Sequence, residues 1–537
     1  MVDYRNFEQF LHSRIKRRNL IIGAGALSGL AIANQFSHQT AMSADKPLGV
    51  YATGRFSNYP FTLGVASGDP DSTSVVIWTR LAPEPLEGGG MPPVNVPIRW
   101  EVSTDPDMRR IVSRGTVLAT PELAHSVRVV VEGLQSNTLY WYRFLVGQDA
   151  SPIGRTRTAP LANSYLSKLN FALVSCQHYE QGYFTAYKYL AQDDLDLVVH
   201  VGDYIYEGGI SNNRPRKHNS AEILTLEDYR NRHALYKTDT NLQAAHAAFP
   251  WIVTWDDHEV ENNYANYISE VDTEPDQDPA IFLQRRAAAY QAYYEHMPLR
   301  PLSRPVGPDM QLYRRLSFGN LATFHVLDTR QYRTDQPCGD GTKQRPCGED
   351  PNGTITGKRQ EDWLYDGLNN SQAKWNVLAQ QVVVAQIDTK AGPGETYSMD
   401  KWDGYVASRD RLMRFLEQRK PSNPVVLSGD IHSNWAINLK ADFNNPKSAT
   451  VGSEFVCTSI TSGGDGADTS PNVEAYLPDN PHIKFFNGQR GYVRCALTPT
   501  TCKTDYLVLS NVTTPNGTLS KRASFVVEDG RPEIQQA

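Results

Sequence analysis

The stretch LDLVVHVGDYIYE, residues 195–207, decides the fold. Its first seven residues are mostly apolar and do not alternate with polar residues, which is typical of a strand buried on both faces of a parallel sheet. Helices or a second sheet must then cover that strand. Gly202, Asp203, Tyr206 and Glu207 follow directly where the strand ends. The stretch therefore predicts an α/β domain with functional side chains at the carboxyl end of a central strand.

Three other predicted strands end in the same kinds of side chains. Residues 169–174 run into Ser175-Cys176-Gln177, residues 251–254 into Trp255-Asp256-Asp257-His258-Glu259, and residues 425–427 into Ser428-Gly429-Asp430-Ile431-His432. Since loops from different strands converge at the carboxyl edge of an α/β sheet, we expect these residues to meet. Adjacent carboxylates at the end of an apolar strand repel each other and lose hydration unless a cation compensates. The pattern therefore indicates a metal cluster.

Each motif on its own also has a simpler interpretation. A Gly-Asp pair after a strand is often only a turn in which the aspartate bonds the backbone. Asp256 and Asp257 could be a solvated pair or a helix cap, and His432 could be a hydrogen-bonded core histidine. Cys176 could be a buried free thiol. The combination of these residues at four strand ends favours the metal cluster over the separate interpretations.

Composition limits the partners of this chain. Its 537 residues are 40% hydrophobic and 21% charged, which is typical of a globular protein long enough for two domains. The net charge of −6 gives no reason to expect nucleic acid or an anionic membrane surface as a partner. An anionic substrate would have to be held by a local feature such as a metal cluster.

Residues 1–45 are predicted to be an export signal of the twin-arginine type. Lys16-Arg17-Arg18 precede a short apolar run, and small residues at 41–44 offer a cleavage site. A membrane anchor is the alternative, but the run falls short of the ~20 apolar residues that a span needs. We therefore expect a periplasmic or secreted protein without a stable membrane anchor, exported in folded form by the twin-arginine machinery.

Two domains are predicted after the signal. Residues 59–160 contain short alternating strands separated by turns, which is typical of an immunoglobulin or fibronectin III-like sandwich. Residues 165–515 alternate strands with helices, as in an α/β domain. Helices are predicted over 184–192, 227–236, 282–295, 357–369 and 408–418, and strands over 377–385 and 454–460. Residues 516–537 are predicted to be a C-terminal tail that, like the loop-rich interval 306–353, could cover the site.

The six cysteines offer two candidate disulfides. Cys338 and Cys347 flank a loop rich in Gly, Pro and Asp, and Cys495 and Cys502 flank a predicted hairpin turn. Either pair could be bridged in an oxidising compartment. Cys457 lies in an apolar strand and is expected to be buried and inert.

Taken together, these motifs resemble the metallophosphoesterase superfamily in a variant form. The likeness rests on Gly202-Asp203 with Tyr206, on Asp257-His258-Glu259 and on Gly429-Asp430-Ile431-His432, and the Asp-x-x-Tyr pattern is similar to purple acid phosphatases. With Ser175-Cys176-Gln177 added, the chain resembles PhoD-type alkaline phosphatases and phosphodiesterases over residues 64–492. The resemblance implies a four-layer α/β/β/α catalytic domain behind the N-terminal sandwich.

The resemblance also implies one Fe³⁺ with one or two Ca²⁺ ions. Cys176 takes the place of the first metal-binding carboxylate of the wider superfamily, and Asp203 would bridge the metals. Tyr206 and His432 would bind the iron. Thiolate, phenolate and imidazole are donors that suit iron, whereas carboxylate and amide oxygens suit calcium, so the residue types agree with this assignment.

Three further residues are implied as ligands. Asp257 would be one of them, and Asp430 would lie on the calcium side. The predicted strand over 377–385 would supply a third, for which Gln381 is the candidate and Gln380 and Gln386 compete.

The predicted activity is that of an alkaline phosphatase, in which a metal-bound hydroxide attacks phosphate monoesters and releases phosphate for scavenging. His258 is the candidate to protonate the leaving alkoxide or to hold the phosphate. Two alternatives stay open. One is a phosphodiesterase acting on phospholipid, nucleotide or polymer diesters, and the other is a secreted, non-catalytic binding protein. Small-molecule phosphate esters are the expected partners.

Overall fold

The computed structural model describes residue 56 and residues 58–537, so the predicted export signal lies outside the described residues. The strands, in chain order, are β1 (Val65–Gly68), β2 (Val75–Arg80), β3 (Val96–Ser103), β4 (Ile111–Ala119), β5 (Ser126–Val131), β6 (Leu139–Val146), β7 (Asp149–Ala150), β8 (Gly154–Arg157), β9 (Leu169–Val174), β10 (Leu197–Val201), β11 (Pro250–Thr254), β12 (Arg314–Phe318), β13 (Ala322–Val326), β14 (Thr342–Lys343), β15 (Trp375–Ala379), β16 (Tyr397–Ser398), β17 (Pro424–Ser428), β18 (Asn434–Lys440), β19 (Thr450–Val456), β20 (Ile483–Asn487), β21 (Gly491–Leu497), β22 (Thr501–Leu509), β23 (Leu519–Glu528) and β24 (Arg531–Gln536). The helices are α1 (Thr185–Leu190), α2 (Leu226–Lys237), α3 (Thr240–Ala248), α4 (Pro279–His296), α5 (Gly357–Asn370), α6 (Val406–Arg419) and α7 (Pro471–Tyr476).

The larger sheet has ten strands in the order β24-β23-β22-β21-β9-β10-β11-β1-β2-β5. Its centre is parallel, with Val199 of β10 opposite Leu173 of β9 and Ile252 of β11. Every residue of β10 is buried. The prediction of a central strand covered on both faces is therefore confirmed.

A second sheet has seven strands in the order β12-β13-β15-β17-β19-β18-β20. Strands β13, β15, β17 and β19 run parallel. The carboxyl end of β17 leads directly into Asp430 and His432. This sheet thus supplies one of the strand ends that the sequence marks.

One apolar core contains side chains of both large sheets. Phe171 of β9 meets Phe324 of β13 edge to face, with ring centroids 5.3 Å apart, and Leu197 and Val377 belong to the same core. Two further cores join β9–β11 to helices α1–α4 and join β15 and β17 to α5 and α6. Since a fully buried side chain of this size stabilises the fold by about 1.5–3 kcal/mol, these three cores hold the strand ends in fixed positions.

The predicted boundary at residue 160 does not separate two sheets. β1 pairs in parallel with β11, so β1, β2 and β5 extend the ten-stranded sheet, while β3, β4, β6, β7 and β8 form a five-stranded sheet. All six residues of β2 are buried, and Trp78 in that strand donates a hydrogen bond to the carbonyl of Glu295 in α4. In the sequence, burial of β2 on both faces is indicated by a continuous apolar run, Val75-Val76-Ile77-Trp78.

The predicted C-terminal tail is wrong, because residues 519–536 form strands β23 and β24 of the ten-stranded sheet. The backbone N–H of Ile534 also donates to Asn438 Oδ1 in β18, and Ser453 Oγ in β19 donates to the Pro532 carbonyl. Strand β24 therefore touches the second sheet as well. The Asp529-Gly530 turn between the two strands is a hairpin signal that the tail interpretation ignored.

Helix predictions agree with the structure to within a few residues, whereas two strand ends and one disulfide do not. β15 ends at Ala379 and β19 at Val456, earlier than predicted. Cys338 and Cys347 form a disulfide, but Cys495 and Cys502 are buried free thiols. Cys495 lies opposite Thr504 and Cys502 opposite Leu497, so the two cysteines are offset along the β21–β22 ladder. Within the described residues, no helix combines the length and apolarity that a membrane crossing requires.

Candidate metal centre

The four predicted strand ends meet. Three groups of side chains offer ligand atoms that lie within 4.8 Å of one another, namely Cys176, Asp203 and His432, then Asp203, Asp257 and His258, then Asp256, Asp257 and Asp430. Asp203 belongs to the first two groups and Asp257 to the last two. The groups therefore form one continuous cluster that draws on β9, β10, β11 and β17.

Tyr206 joins the end of the cluster that contains Cys176. Its hydroxyl donates to Asp203 Oδ2 at 2.9 Å and lies 3.2 Å from His432 Nε2. Ser462 Oγ lies 2.7 Å from the same hydroxyl and donates to it. A thiol, a phenol and an imidazole thus lie around the carboxylate of Asp203.

The backbone at the strand ends is strained where these side chains project. Cys176 (φ 58°), Asp203 (φ 58°), Asp430 (φ 66°) and His432 (φ 54°) all adopt the left-handed region. Each such residue costs of order 1–3 kcal/mol, and such residues tend to cluster at functional sites. Because four residues of one cluster adopt this conformation, we infer that the fold tolerates its energetic cost in order to place these side chains in the cluster.

Two glycines let the loops come this close. An added Cβ at Gly202, whose φ is 117°, would lie 2.4 Å from the Asp256 Cβ, and one at Gly429 would lie 2.6 Å from Ser175 Oγ. Any side chain at either position would push one strand end away from its neighbour.

Replacing Gly202 by alanine is expected to lower the free energy of unfolding by about 2–3 kcal/mol, because overpacking and a forbidden φ act together. Urea-induced unfolding measures the change. Gly208→Ala is the matched control, since a Cβ there meets nothing within 4 Å. Equal stability of the two variants would contradict the close contact between the β10 and β11 ends.

Glu259 ties the ends of β10 and β11 together. Its carboxylate accepts hydrogen bonds from the backbone N–H groups of Asp203 at 3.1 Å, Tyr204 at 2.6 Å and Asp256 at 2.9 Å. Burial raises the pKa of Glu259 to about 7, against the effect of these three donors. Its role is to position the loops, since both its oxygens face backbone groups.

His258 is held by Glu207. His258 Nδ1 lies 2.7 Å from Glu207 Oε2, and the backbone N–H of Asn262 donates to Glu207 Oε1 at 2.8 Å. Burial alone would lower the pKa of His258, but Glu207, Asp257 and Asp203 raise it well above the ordinary value. Because Nδ1 faces Glu207, Nε2 is the nitrogen that remains for a substrate.

Arg330 supports the acidic end of the cluster. Its guanidinium donates to Asp256 Oδ1 at 2.6 Å and to both oxygens of Asp400 at 2.7 and 2.8 Å, and it lies 3.5 Å from Asp257 Oδ1. Burial would raise the pKa of Asp257, but Arg330 and His258 hold it below its usual value. Asp257 is therefore ionised and available as an acceptor.

The cluster has the character of a cation site. Burial raises the pKa of Cys176, Asp203 and Tyr206 well above their ordinary values, and in each case neighbouring anionic groups raise it further. Oδ1 of Asp203 and of Asp257 are buried and lack a hydrogen-bond partner within the described part of the chain. A bound cation would lower the raised pKa values, because it stabilises the ionised ligands. It would also bind the carboxylate oxygens that have no hydrogen-bond partner.

Gln381 is not placed as the sequence suggested. Its side-chain oxygen accepts from the backbone and hydroxyl of Thr329 at 3.1 and 2.7 Å, and its amide nitrogen donates to Thr254 Oγ1 and the Leu327 carbonyl. Every hydrogen-bonding direction of the side chain is used inside the core. Gln381 therefore lies outside the cluster, and we exclude it from the ligand set. Gln380 and Gln386 are also occupied by neighbouring side chains.

Comparison with known proteins agrees with this geometry. Residues 171–506 match the model of the PhoD-like phosphatase family, and residues 46–160 match the model of the PhoD-like phosphatase N-terminal domain. The chain belongs to the PhoD-like phosphatase family. Membership of this family identifies the protein as a phosphatase, and the alternative prediction of a non-catalytic binding protein is therefore wrong.

Relatives of this family member are close over most of the chain. It is 54% identical over 536 residues to alkaline phosphatase D of Bacillus subtilis (strain 168), which covers 98% of this chain and 90% of that protein. A solved structure of PhoD is 55% identical and matches with a TM-score of 0.88, covering 90% of this chain and 93% of the other. The mixed α/β fold is therefore shared.

Proposed function

We propose that this PhoD-like phosphatase is an exported alkaline phosphatase that hydrolyses phosphate monoesters at a mixed site for one Fe³⁺ and one or two Ca²⁺ ions. The observation that supports this most is the shared position of Asp203. On one side it meets Cys176, Tyr206 and His432, and on the other it meets Asp257. A single carboxylate between a set of thiol, phenol and imidazole donors and a set of carboxylates suits two unlike metals.

The donor types divide the proposed ligands. Cys176, Tyr206 and His432 would hold iron, Asp257 and Asp430 would hold calcium, and Asp203 would contact both. When bound, these metals supply an acidified water and positive charge against the phosphate oxygens.

His258 provides the proton in the proposed reaction. Glu207 holds Nδ1, so Nε2–H is oriented and can donate to the oxygen of the leaving alcohol as the bond to phosphorus breaks. With this proton the leaving group departs as a neutral alcohol rather than as an alkoxide. No covalent intermediate with the protein is needed.

Metal analysis together with turnover tests this proposal. Purified protein is expected to contain iron and calcium by mass spectrometry, and chelation is expected to abolish turnover until both metals return. Zinc without iron would contradict the assignment. Aryl phosphate is expected to be turned over faster than bis-aryl phosphate. The reverse order would make a phosphodiesterase, acting on phospholipid, nucleotide or polymer diesters, the better description.

The finer features of fold and location form part of the same proposal. A core between two sheets, with helical cores on both outer sides, supports a four-layer α/β/β/α arrangement, and the five-stranded sheet with β2 and β5 supports an immunoglobulin-like sandwich. Export is supported by the order of charged and apolar residues within 1–45. Fusing these residues to a reporter and replacing Arg17-Arg18 by lysines is expected to stop twin-arginine export. Secretion that survives this change would contradict the route.

A further inference from the structure

A pocket of about 210 Å³ lies beside the metal centre. Lys401, Ile431 and Ser433 form part of its lining. Ile431 and Ser433 flank His432 in sequence, and Lys401 Nζ lies 3.4 Å from Asp430 Oδ2. The pocket therefore lies next to the end of the cluster that contains Asp430, with Lys401 in contact with both.

Most of the remaining lining is apolar, and Thr389, Ser398 and Asp403 also contribute to it. Val383, Ala385 and Trp435 are buried in the core and form its floor, while Val473 and Tyr476 of α7 are half-buried and form its rim. Burial raises the pKa of Tyr476 to about 12, so its phenol stays neutral. A charged cluster at one end and apolar walls at the other match an amphiphilic ligand.

The size of the pocket restricts that ligand. An apolar cavity of about 150 Å³ holds one benzene molecule. A pocket of about 210 Å³ therefore accepts one aromatic ring or a short aliphatic group. It is too small to enclose the two acyl chains of a phospholipid.

We propose that this pocket binds the organic group of the phosphate ester and selects esters whose alcohol is aromatic or short and aliphatic. The inference rests on the proposed function, because the phosphate must lie at the metal centre for the organic group to reach the pocket. Lys401 marks the junction, since it lines the pocket and contacts Asp430.

Two variants on α7 test the pocket. Val473→Trp fills it and Tyr476→Ala removes part of its rim. Both are expected to lower kcat/KM for phenyl phosphate about tenfold, in line with the discrimination that an apolar pocket supplies. Turnover of methyl phosphate, whose organic group is too small to need the pocket, is expected to change less than twofold. Glu474→Ala, an exposed residue of the same helix, is the control and should alter neither substrate.

The outcomes separate this inference from the proposed function. Equal losses for phenyl and methyl phosphate, or no loss for either, would overturn the pocket assignment while leaving the phosphatase centre intact. If the unmodified, metal-loaded protein hydrolysed neither ester, both the proposed function and this inference would fall. Selective loss of phenyl phosphate turnover in both variants would establish the specificity pocket.

Discussion

Replacing Asp203 by asparagine is expected to lower kcat/KM for phosphate monoesters by more than about 100-fold, the upper end of the loss typical of residues that only support metal ligands. Asp203 is the carboxylate shared by the two halves of the cluster, and its Oδ1 is buried without a hydrogen-bond partner among the described residues. An amide keeps the shape but removes the charge. Steady-state kinetics and the iron and calcium content of the variant should therefore fall together.

Asp194→Asn is the matched control for this prediction. Asp194 lies just before the other end of β10 and is exposed, so the same change there leaves the centre untouched. A variant of Asp203 that kept both its metals and its turnover would contradict the shared-ligand role. Loss of turnover with unchanged metal content would limit Asp203 to the chemistry and exclude it from metal binding.

Replacing His258 by alanine is expected to lower kcat for alkyl phosphates by about 10²–10⁴-fold, the range for loss of a general acid. Turnover of nitrophenyl phosphate should fall much less, because nitrophenolate leaves without protonation. Metal content should stay unchanged, since the variant keeps the six proposed metal ligands, namely Cys176, Asp203, Tyr206, Asp257, Asp430 and His432. Kinetics with a series of alcohols of increasing pKa measure the difference.

Nitrophenyl phosphate is the internal control in that series, because its leaving group needs no protonation. If alkyl and nitrophenyl phosphates lost activity equally, His258 would hold the phosphate rather than donate a proton. If the variant also lost metal, His258 would have to be counted among the ligands. Its contact with Glu207 at 2.7 Å makes proton donation from Nε2 the expected result.

The position of the centre could be predicted because it depends on local patterns. Buried parallel strands carry a recognisable apolar run, and the chain places polar residues directly after β10, β11 and β17. Cys176, Asp203, Asp257 and His432 meet as expected, because parallel strands bring their carboxyl ends to the same edge. The residue types alone then indicate a cation.

The choice of Gln381 failed for a physical reason. The resemblance implied a ligand from a predicted strand through residue 385, with Gln381 as the candidate and Gln380 and Gln386 as competitors. β15 ends at Ala379, and the side chain of Gln381 is hydrogen-bonded to Thr329, Thr254 and Leu327 in the core. The supporting roles of Glu207, Arg330 and Asp400 were also beyond the sequence, since their partners lie 51, 74 and 70 residues away in the chain.

Sheet membership was harder to predict than strand position. β1, β2 and β5 look like strands of a small sandwich when their own neighbourhood is considered. β1 pairs with β11, which lies well over a hundred residues further along the chain, and β2 and β5 follow β1 into the same sheet. Pairing at that distance leaves no local pattern. Strands β23 and β24 were mistaken for a tail for a different reason, because the hairpin turn at Asp529-Gly530 between them was overlooked.

Strand β24 contacts both large sheets. It completes the edge of the ten-stranded sheet and bonds to β18 and β19 of the other sheet. Without residues 531–536, β23 would become the edge of the ten-stranded sheet, and open edges invite pairing with other chains. The hydrogen bonds of this segment also add polar contacts between two sheets whose shared core is apolar.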